Sequence, residues 1–428
     1  EWVVTVYLLV ISGLLLSFGR LGDLRGHKSI YQLGFVIFIL SSALCGLSPS
    51  AYALIGFRSL QAIGATMLAA NSPAILTKNF PAHQRGQALG MQATMTYLGL
   101  TVAPSLGGWL TDAFSWRAVF YINIPVGLVA FLLSWRFIPL DSPSAQEEKF
   151  DLPGAFVFMT GLVTLLLGLN QGHAWGWTSP SIIGLLVAAV ISLIVFLILE
   201  YRRVDPMLDL SLFKHATFSA SVASAIFNYI CVFTIIFLLP FYLLQGRHLA
   251  PTQAGLILTA QPIIMAVVAP ISGTLSDRIG AQIPSVSGMA ILGVGLFLLS
   301  QLDAHSSTQA IILALAVAGL GTGIFISPNN SALMGSAPRH RQGIAAGVLA
   351  TARTVGMVLG VGLAGAIFTT VLSQAASTGG EGGLFRATHI SFLVATGVAG
   401  LGVVTSMIRG ASRLDSSKKK LQLQYKDQ

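Results

Sequence analysis

Apolar runs of about twenty residues, the length that crosses a bilayer as a helix, recur along this chain from end to end. They fall at roughly 2–19, 29–48, 51–77, 86–111, 117–138, 153–172, 179–200, 216–244, 253–275, 283–302, 309–334, 343–372 and 388–408, about thirteen in all. Charged residues make up 9% of the 428 and hydrophobic residues 54%, against roughly 25% charged in soluble domains. No soluble core of this size hides that much apolar surface. The pattern predicts an all-α polytopic membrane protein. The net charge of +9 does not point to nucleic acid, because Lys and Arg gather in alternate loops and at the end of the chain. The two cysteines, Cys45 and Cys231, sit inside apolar runs and read as small core residues.

Orientation follows from the basic residues. Nineteen Lys and Arg between Arg20 and Lys426 fall on one side of the predicted membrane, and only Arg117, Arg247 and Arg386 on the other. Basic loops stay cytoplasmic, so the C-terminus is expected in the cytoplasm and Glu1 outside. Thirteen spans with an external start imply one span before Glu1, and fourteen in the parent. The expected organisation is an N-terminal bundle over 1–138, a cytoplasmic linker over 139–152, two inserted central helices over 153–200, a connector over 201–215, a C-terminal bundle over 216–408 and a basic, disordered cytoplasmic tail over 409–428.

The stretch Gly19–Lys28 reads as a tight basic loop, its glycines supplying backbone angles closed to other residues. A second copy begins at Gly273: Gly19 pairs with Gly273, Leu21 with Leu275, Asp23 with Asp277 and Gly26 with Gly280, all at an offset of 254. At an offset of 257, Gly64 pairs with Gly321, Pro81 with Pro338, His83 with His340, Gly86 with Gly343 and Gly99 with Gly356. The halves are parallel repeats, an architecture in which transporters bind substrate near the midplane and rock about it.

These motifs resemble those of the major facilitator superfamily, and more narrowly its fourteen-helix drug:proton antiporter branch. Gly19, Leu21, Asp23, Gly26 and Lys28 fit the loop motif Gly-x-Leu-x-Asp-Arg-x-Gly-Arg-Arg, with Leu24 and His27 where arginine is usual. Arg58, Gln61 and Gly64 fit a second motif. The run Gly99–Gly108 fits Gly-x-x-x-Gly-Pro-x-x-Gly-Gly with Ala103 at the middle glycine, and Trp116-Arg117 with Asn123, Pro125 and Gly127 fits a fourth.

The resemblance implies two six-helix bundles plus two central helices, a cytoplasmic latch of Gly19, Asp23, Gly26, Lys28, Asp277 and Arg278, and a hinge of Gly99, Pro104, Gly107 and Gly108 on a small-residue face suited to close helix approach. Arg58 and Arg353 are intramembrane cations, costly and therefore functional candidates. No acid lies at mid-membrane, so neither has an obvious partner, and the proton-coupling carboxylate is expected in the span before Glu1. Gln92, Asn123, Asn228, Gln261 and Asn329 are candidate lining for an amphiphilic cavity. The expected function is a monomeric secondary exporter in the cell membrane, exchanging protons for amphiphilic drugs or toxic compounds. The alternative is export of one metabolite, lipid or anionic compound. No metal-ligand spacing, nucleophile motif or phosphate loop occurs, so neither an enzyme nor an ATP-driven pump is expected, and no cofactor or metal.

Overall fold

The computed structural model describes residues 2–141, 149–176, 179–203, 206–377 and 383–424. These are 89% helix, with no strand among them. The helices are α1 (Trp2–Arg25), α2 (His27–Gly46), α3 (Ala51–Asn79), α4 (Arg85–Ala113), α5 (Ala118–Tyr121), α6 (Asn123–Phe137), α7 (Leu152–Trp175), α8 (Pro180–Arg202), α9 (Ala216–Phe241), α10 (Pro251–Leu258), α11 (Ala260–Ile279), α12 (Gln282–Ser300), α13 (Thr308–Ser336), α14 (Gln342–Ser377) and α15 (Gly383–Gln424).

Among the described residues, twelve helical stretches are long and apolar enough to cross a membrane. The thirteenth expected run, 86–111, is present as the 29-residue α4 but is not among the twelve, because Gln, Thr and Gly dilute its apolar side chains. In the membrane every backbone polar group must be satisfied within the segment, which is why the apolar runs are helices. On α8 the residues Ile183, Val187, Val190, Ile194 and Leu197 are all exposed, an apolar surface that only lipid solvates without penalty.

The chain divides into two compact units, neither of them a continuous stretch. Unit 1 comprises residues 1–79, 102–210 and 337–354, and unit 2 comprises 80–101, 211–336 and 355–428. Unit 1 is closed around buried Leu16, Met67, Ile182 and Phe196. Unit 2 has a larger apolar core, including Leu292, Leu296, Leu315, Phe325 and Phe392. Cys45 and Cys231 are free and buried.

Three sequence expectations need correction. The stretch Gly19–Lys28 is not a ten-residue loop. Helix α1 runs on to Arg25 and α2 starts at His27, and only Gly26, at φ +90°, occupies the left-handed region that breaks the helix. Its copy behaves the same way, with Gly280 at φ +87°. Second, Gly99, Gly107 and Gly108 are not sites of close helix approach: no described atom lies within 4 Å of a Cβ built on any of them. The corresponding face of α14 is covered, since Gly356 and Gly360 lie against the backbone of α9 at Ile226 and Ile230. Third, α15 continues past Arg409 to Gln424 where a disordered tail was expected. After Gly410 the sequence contains no Pro or Gly to stop a helix.

Candidate functional site

The glycines of the repeated motif bring two helices into backbone contact, once in each unit. In unit 1 a Cβ on Gly19 would collide with the carbonyl oxygen of Gly343, and in unit 2 a Cβ on Gly273 would collide with that of Gly86. With the backbones this close, the carboxylate one helical turn further along reaches the first N–H groups of the facing helix. Asp23 Oδ1 accepts from Gly343 N at 2.9 Å and Oδ2 from Ile344 N at 3.0 Å. Asp277 Oδ1 accepts from Gly86 N at 2.8 Å and Oδ2 from Gln87 N at 2.9 Å.

Both receiving helices are introduced alike: Pro81 and Pro338 each open a short 3-10 turn, Ala82–Gln84 and Arg339–Arg341. The first turn of a helix leaves its N–H groups without internal partners, and its dipole favours an anion there. Each Asp therefore caps a helix from a distant part of the sequence. Neighbouring side chains reinforce the crossings. Thr77 Oγ1 meets Gln342 Oε1 at 2.6 Å in unit 1, and Ser327 Oγ donates to Gly86 O at 2.6 Å in unit 2.

The two expected latch cations are placed elsewhere. Lys28 is buried and donates from Nζ to the carbonyls of Trp135, at 3.0 Å, and Ile138, at 2.5 Å. It closes the C-terminus of α6 because Asp141, just beyond, accepts from the backbone N–H of His27 and Lys28 and draws that segment over the start of α2. Arg278 is exposed on α11. The usual arginine position holds His27, which is fully buried. Its Nδ1 lies 2.7 Å from Asn71 Oδ1 and its Nε2 lies 3.3 Å from Asp23 Oδ1.

Arg58 has partners, all neutral. Its NH1 donates to Gln61 Oε1 at 2.6 Å and its Nε to Val3 O at 3.4 Å. The guanidinium stacks 3.9 Å from the centre of the Tyr7 ring, an attraction that strengthens away from water. Gln61 passes the interaction on to Ser42 Oγ at 2.6 Å. The neutral cradle was missed in the sequence because only carboxylates were sought as partners. Arg353 is half-buried on α14.

The five cavity candidates are divided between the two units. In unit 2, Asn228 and Gln261 are buried, and Asn228 Oδ1 and Gln261 Nε2 have no hydrogen-bond partner among the described residues. Asn329 donates to Ser221 O at 3.2 Å, an interhelical tie, and Gln92 is half-buried. In unit 1, Asn123 donates to Val119 O within its own helix region at 3.4 Å. The side chain of Pro104 lies outside the described ones.

Two acids, one in the expected linker over 139–152 and one at the end of α8, are both buried. Asp151 caps α7 through Gly154 N at 2.9 Å and pairs with Arg203 at 3.0 Å. Glu200 accepts from Leu208 N at 2.9 Å. The carboxylates converge over Gly154. The burial of Asp151 was readable as a helix cap, whereas that of Glu200 depends on the path of the connector after α8. Among the described residues no group of three or more His, Cys, Asp or Glu is placed to hold a metal ion.

The Major Facilitator Superfamily profile matches residues 1–213 and 221–426. The chain is 36% identical over 376 residues to the riboflavin transporter RibZ of Clostridioides difficile, covering 87% of this chain and 80% of that one. It is 30% identical over 374 residues to the multidrug resistance protein Stp of Mycobacterium tuberculosis, covering 87% and 69%. Among solved structures, the human organic anion transporter MFSD10 (TETRAN) superposes with a TM-score of 0.68 over 95% of this chain and 83% of that one, at 16% identity, a likeness of fold alone.

Proposed function

Because the chain belongs to the Major Facilitator Superfamily, and its relatives are consistent with the drug:proton antiporter branch, we propose that it is a secondary exporter of amphiphilic drugs or toxic compounds, working by proton antiport through alternating access. The observation that carries the alternating-access part is the pair of distant helix caps, Asp23 on Gly343 and Ile344 and Asp277 on Gly86 and Gln87. Each joins helices far apart in sequence by two charge-assisted bonds and a side-chain-free backbone crossing, so each forms or breaks as a unit. The drug class is supported by the similarity to multidrug resistance proteins. The unpartnered polar atoms of Asn228 and Gln261 suit ligands that offer a few hydrogen bonds within an apolar body. The membrane is the cell membrane, with the C-terminus in the cytoplasm. Asp23, Asp277, Gly19 and Gly26 carry the latch, and Arg58 and Arg353 are the intramembrane charges of the transport path.

A second reading, export of one metabolite, is favoured by the 36% identity to a riboflavin transporter. One experiment separates the two. Cells expressing the full-length gene are challenged with a panel of cationic and neutral amphiphiles, with and without an uncoupler, and their flavin efflux is measured in parallel. Broad protection that collapses with uncoupler supports drug:proton exchange. Flavin efflux without drug protection supports the second reading, and the loss of neither activity on uncoupling removes proton antiport.

A further inference from the structure

We infer that Asp151 and Glu200 form a binding site for a single monovalent metal ion, at the end of unit 1 where α7 begins and α8 ends. Both residues are 3% exposed, and each has one carboxylate oxygen engaged and one not. Asp151 Oδ1 accepts from Gly154 N at 2.9 Å and faces Arg203 NH1 at 3.0 Å. Glu200 Oε2 accepts from Leu208 N at 2.9 Å. The other two oxygens, Asp151 Oδ2 and Glu200 Oε1, are buried and have no hydrogen-bond partner among the described residues.

Those two oxygens point to the same place. A Cβ built on Gly154 would lie 2.5 Å from Asp151 Oδ2 and 3.0 Å from Glu200 Oε1. Glycine leaves that approach open. Two oxygens brought so close to one point can share one ion, and hard cations take oxygen ligands.

The charge count gives the class of ion. The charges that act on Glu200 are those of Asp151 and Arg203, so the group carries two negative charges and one positive. Arg203 is 39% exposed and meets Asp151 at Oδ1, on the engaged side. Two like charges are left facing each other away from water, which is costly without a cation between them. The N–H groups on Asp151 Oδ1 and Glu200 Oε2 favour the ionised form of both carboxylates, so the balancing charge is a metal ion and not a shared proton. One monovalent ion brings the group to neutrality. A transition metal does not fit, since no group of three or more His, Cys, Asp or Glu among the described residues is placed to hold one.

The site bears on the rest of unit 1 through the connector after α8. Glu200 holds the N–H of Leu208. Next to it, Met207 is fully buried with its sulfur 3.7 Å from Ser17 Oγ on α1. Asp209 pairs with Arg341, just before α14, at 3.7 Å. An ion that fixes Glu200 therefore steadies a strap running from α8 to α1 and the start of α14. The inference goes beyond the export reading and does not depend on the compound carried.

The test uses the full chain in lipid nanodiscs. Binding of radioactive sodium, and of radioactive rubidium as a stand-in for potassium, is measured by scintillation proximity, with choline chloride keeping the ionic strength constant. A single ion per chain is expected, displaced by unlabelled sodium or potassium and not by choline. Glu200→Gln keeps an acceptor for Leu208 and removes the charge, and Asp151→Asn keeps the helix cap. Each should weaken binding about tenfold or more, the scale of one contact to a charged group. Arg203→Gln, at an exposed position, should tighten binding about threefold, the scale of an exposed charge pair. Binding of neither ion at about pH 8, where carboxylates are ionised, overturns the proposal. So does an Arg203→Gln variant with unchanged affinity, or a folded Glu200→Gln variant that binds as the wild type does. An infrared carboxylic-acid band that persists in saturating sodium and disappears in Glu200→Gln would assign the site to a shared proton and overturn the metal ion.

Discussion

Asp23 in unit 1 and Asp277 in unit 2 accept the same pair of backbone N–H groups across the same kind of glycine crossing, yet their surroundings differ. Asp23 is fully buried, with His27 against one oxygen. Asp277 is half-exposed, and Ala281 stands where the repeat would place a histidine. The shared part is therefore backbone geometry, set by Gly19, Gly86, Gly273 and Gly343, and the differing part is electrostatic. A carboxylate sealed from water holds its hydrogen bonds more strongly, but it also needs every other contact satisfied. The crossing in unit 1 is therefore expected to be the harder of the two to break.

The comparison can be broken first at its shared part. Gly19→Leu and Gly273→Leu each put a side chain into the facing carbonyl, and both are expected to lose nearly all transport, measured as substrate efflux at matched membrane abundance. Survival of either variant would separate the crossings. At the next level, Asp23→Asn should lower transport about tenfold or more and Asp277→Asn about threefold, because bonds to a charged group are worth about 1.5–3 kcal/mol when buried and less when solvated. Equal losses would show that burial is irrelevant to latch strength.

The smallest effect belongs to a third carboxylate, Asp303, in the short turn between α12 and α13. The Ser306 hydroxyl and the His305 backbone N–H hold its carboxyl below the usual range. A depressed carboxyl stabilises the turn above its ordinary pKa and loses that contribution only as pH falls through the lowered value, so nothing changes between about pH 5 and about pH 8. Asp303→Asn should leave both transport and its pH profile over that window intact, and a changed profile would overturn this reading of the turn.

Much of this was legible in the sequence. The helices follow from run length and the repeat from residue spacing, and Asp23 and Asp277 stood out as an equivalent pair before any contact was known. What the sequence could not supply was the reason for the glycines. Gly19 and Gly273 read as turn residues, but a turn and a helix crossing both require the missing Cβ, and only the facing backbone distinguishes them. The contact made by His27 was hidden for a related reason, because Asn71 lies 44 residues away on another helix. The exchange of an expected arginine for histidine was visible. Its partner depended on which side chain the fold would bring to the ring's Nδ1. Lys28 went astray because its carbonyl partners belong to a helix end, and the side chain gives no hint of that choice.

The glycine crossings have a kinetic consequence. A contact made of backbone against backbone has no rotamers to select. Ordering a long side chain on burial costs up to about 1.5–2 kcal/mol of conformational entropy, and neither Gly19 against Gly343 nor Gly273 against Gly86 incurs that cost. Each interface can part and re-form without waiting for side chains to repack. What holds each interface closed is then a short set of hydrogen bonds, two of them to a carboxylate.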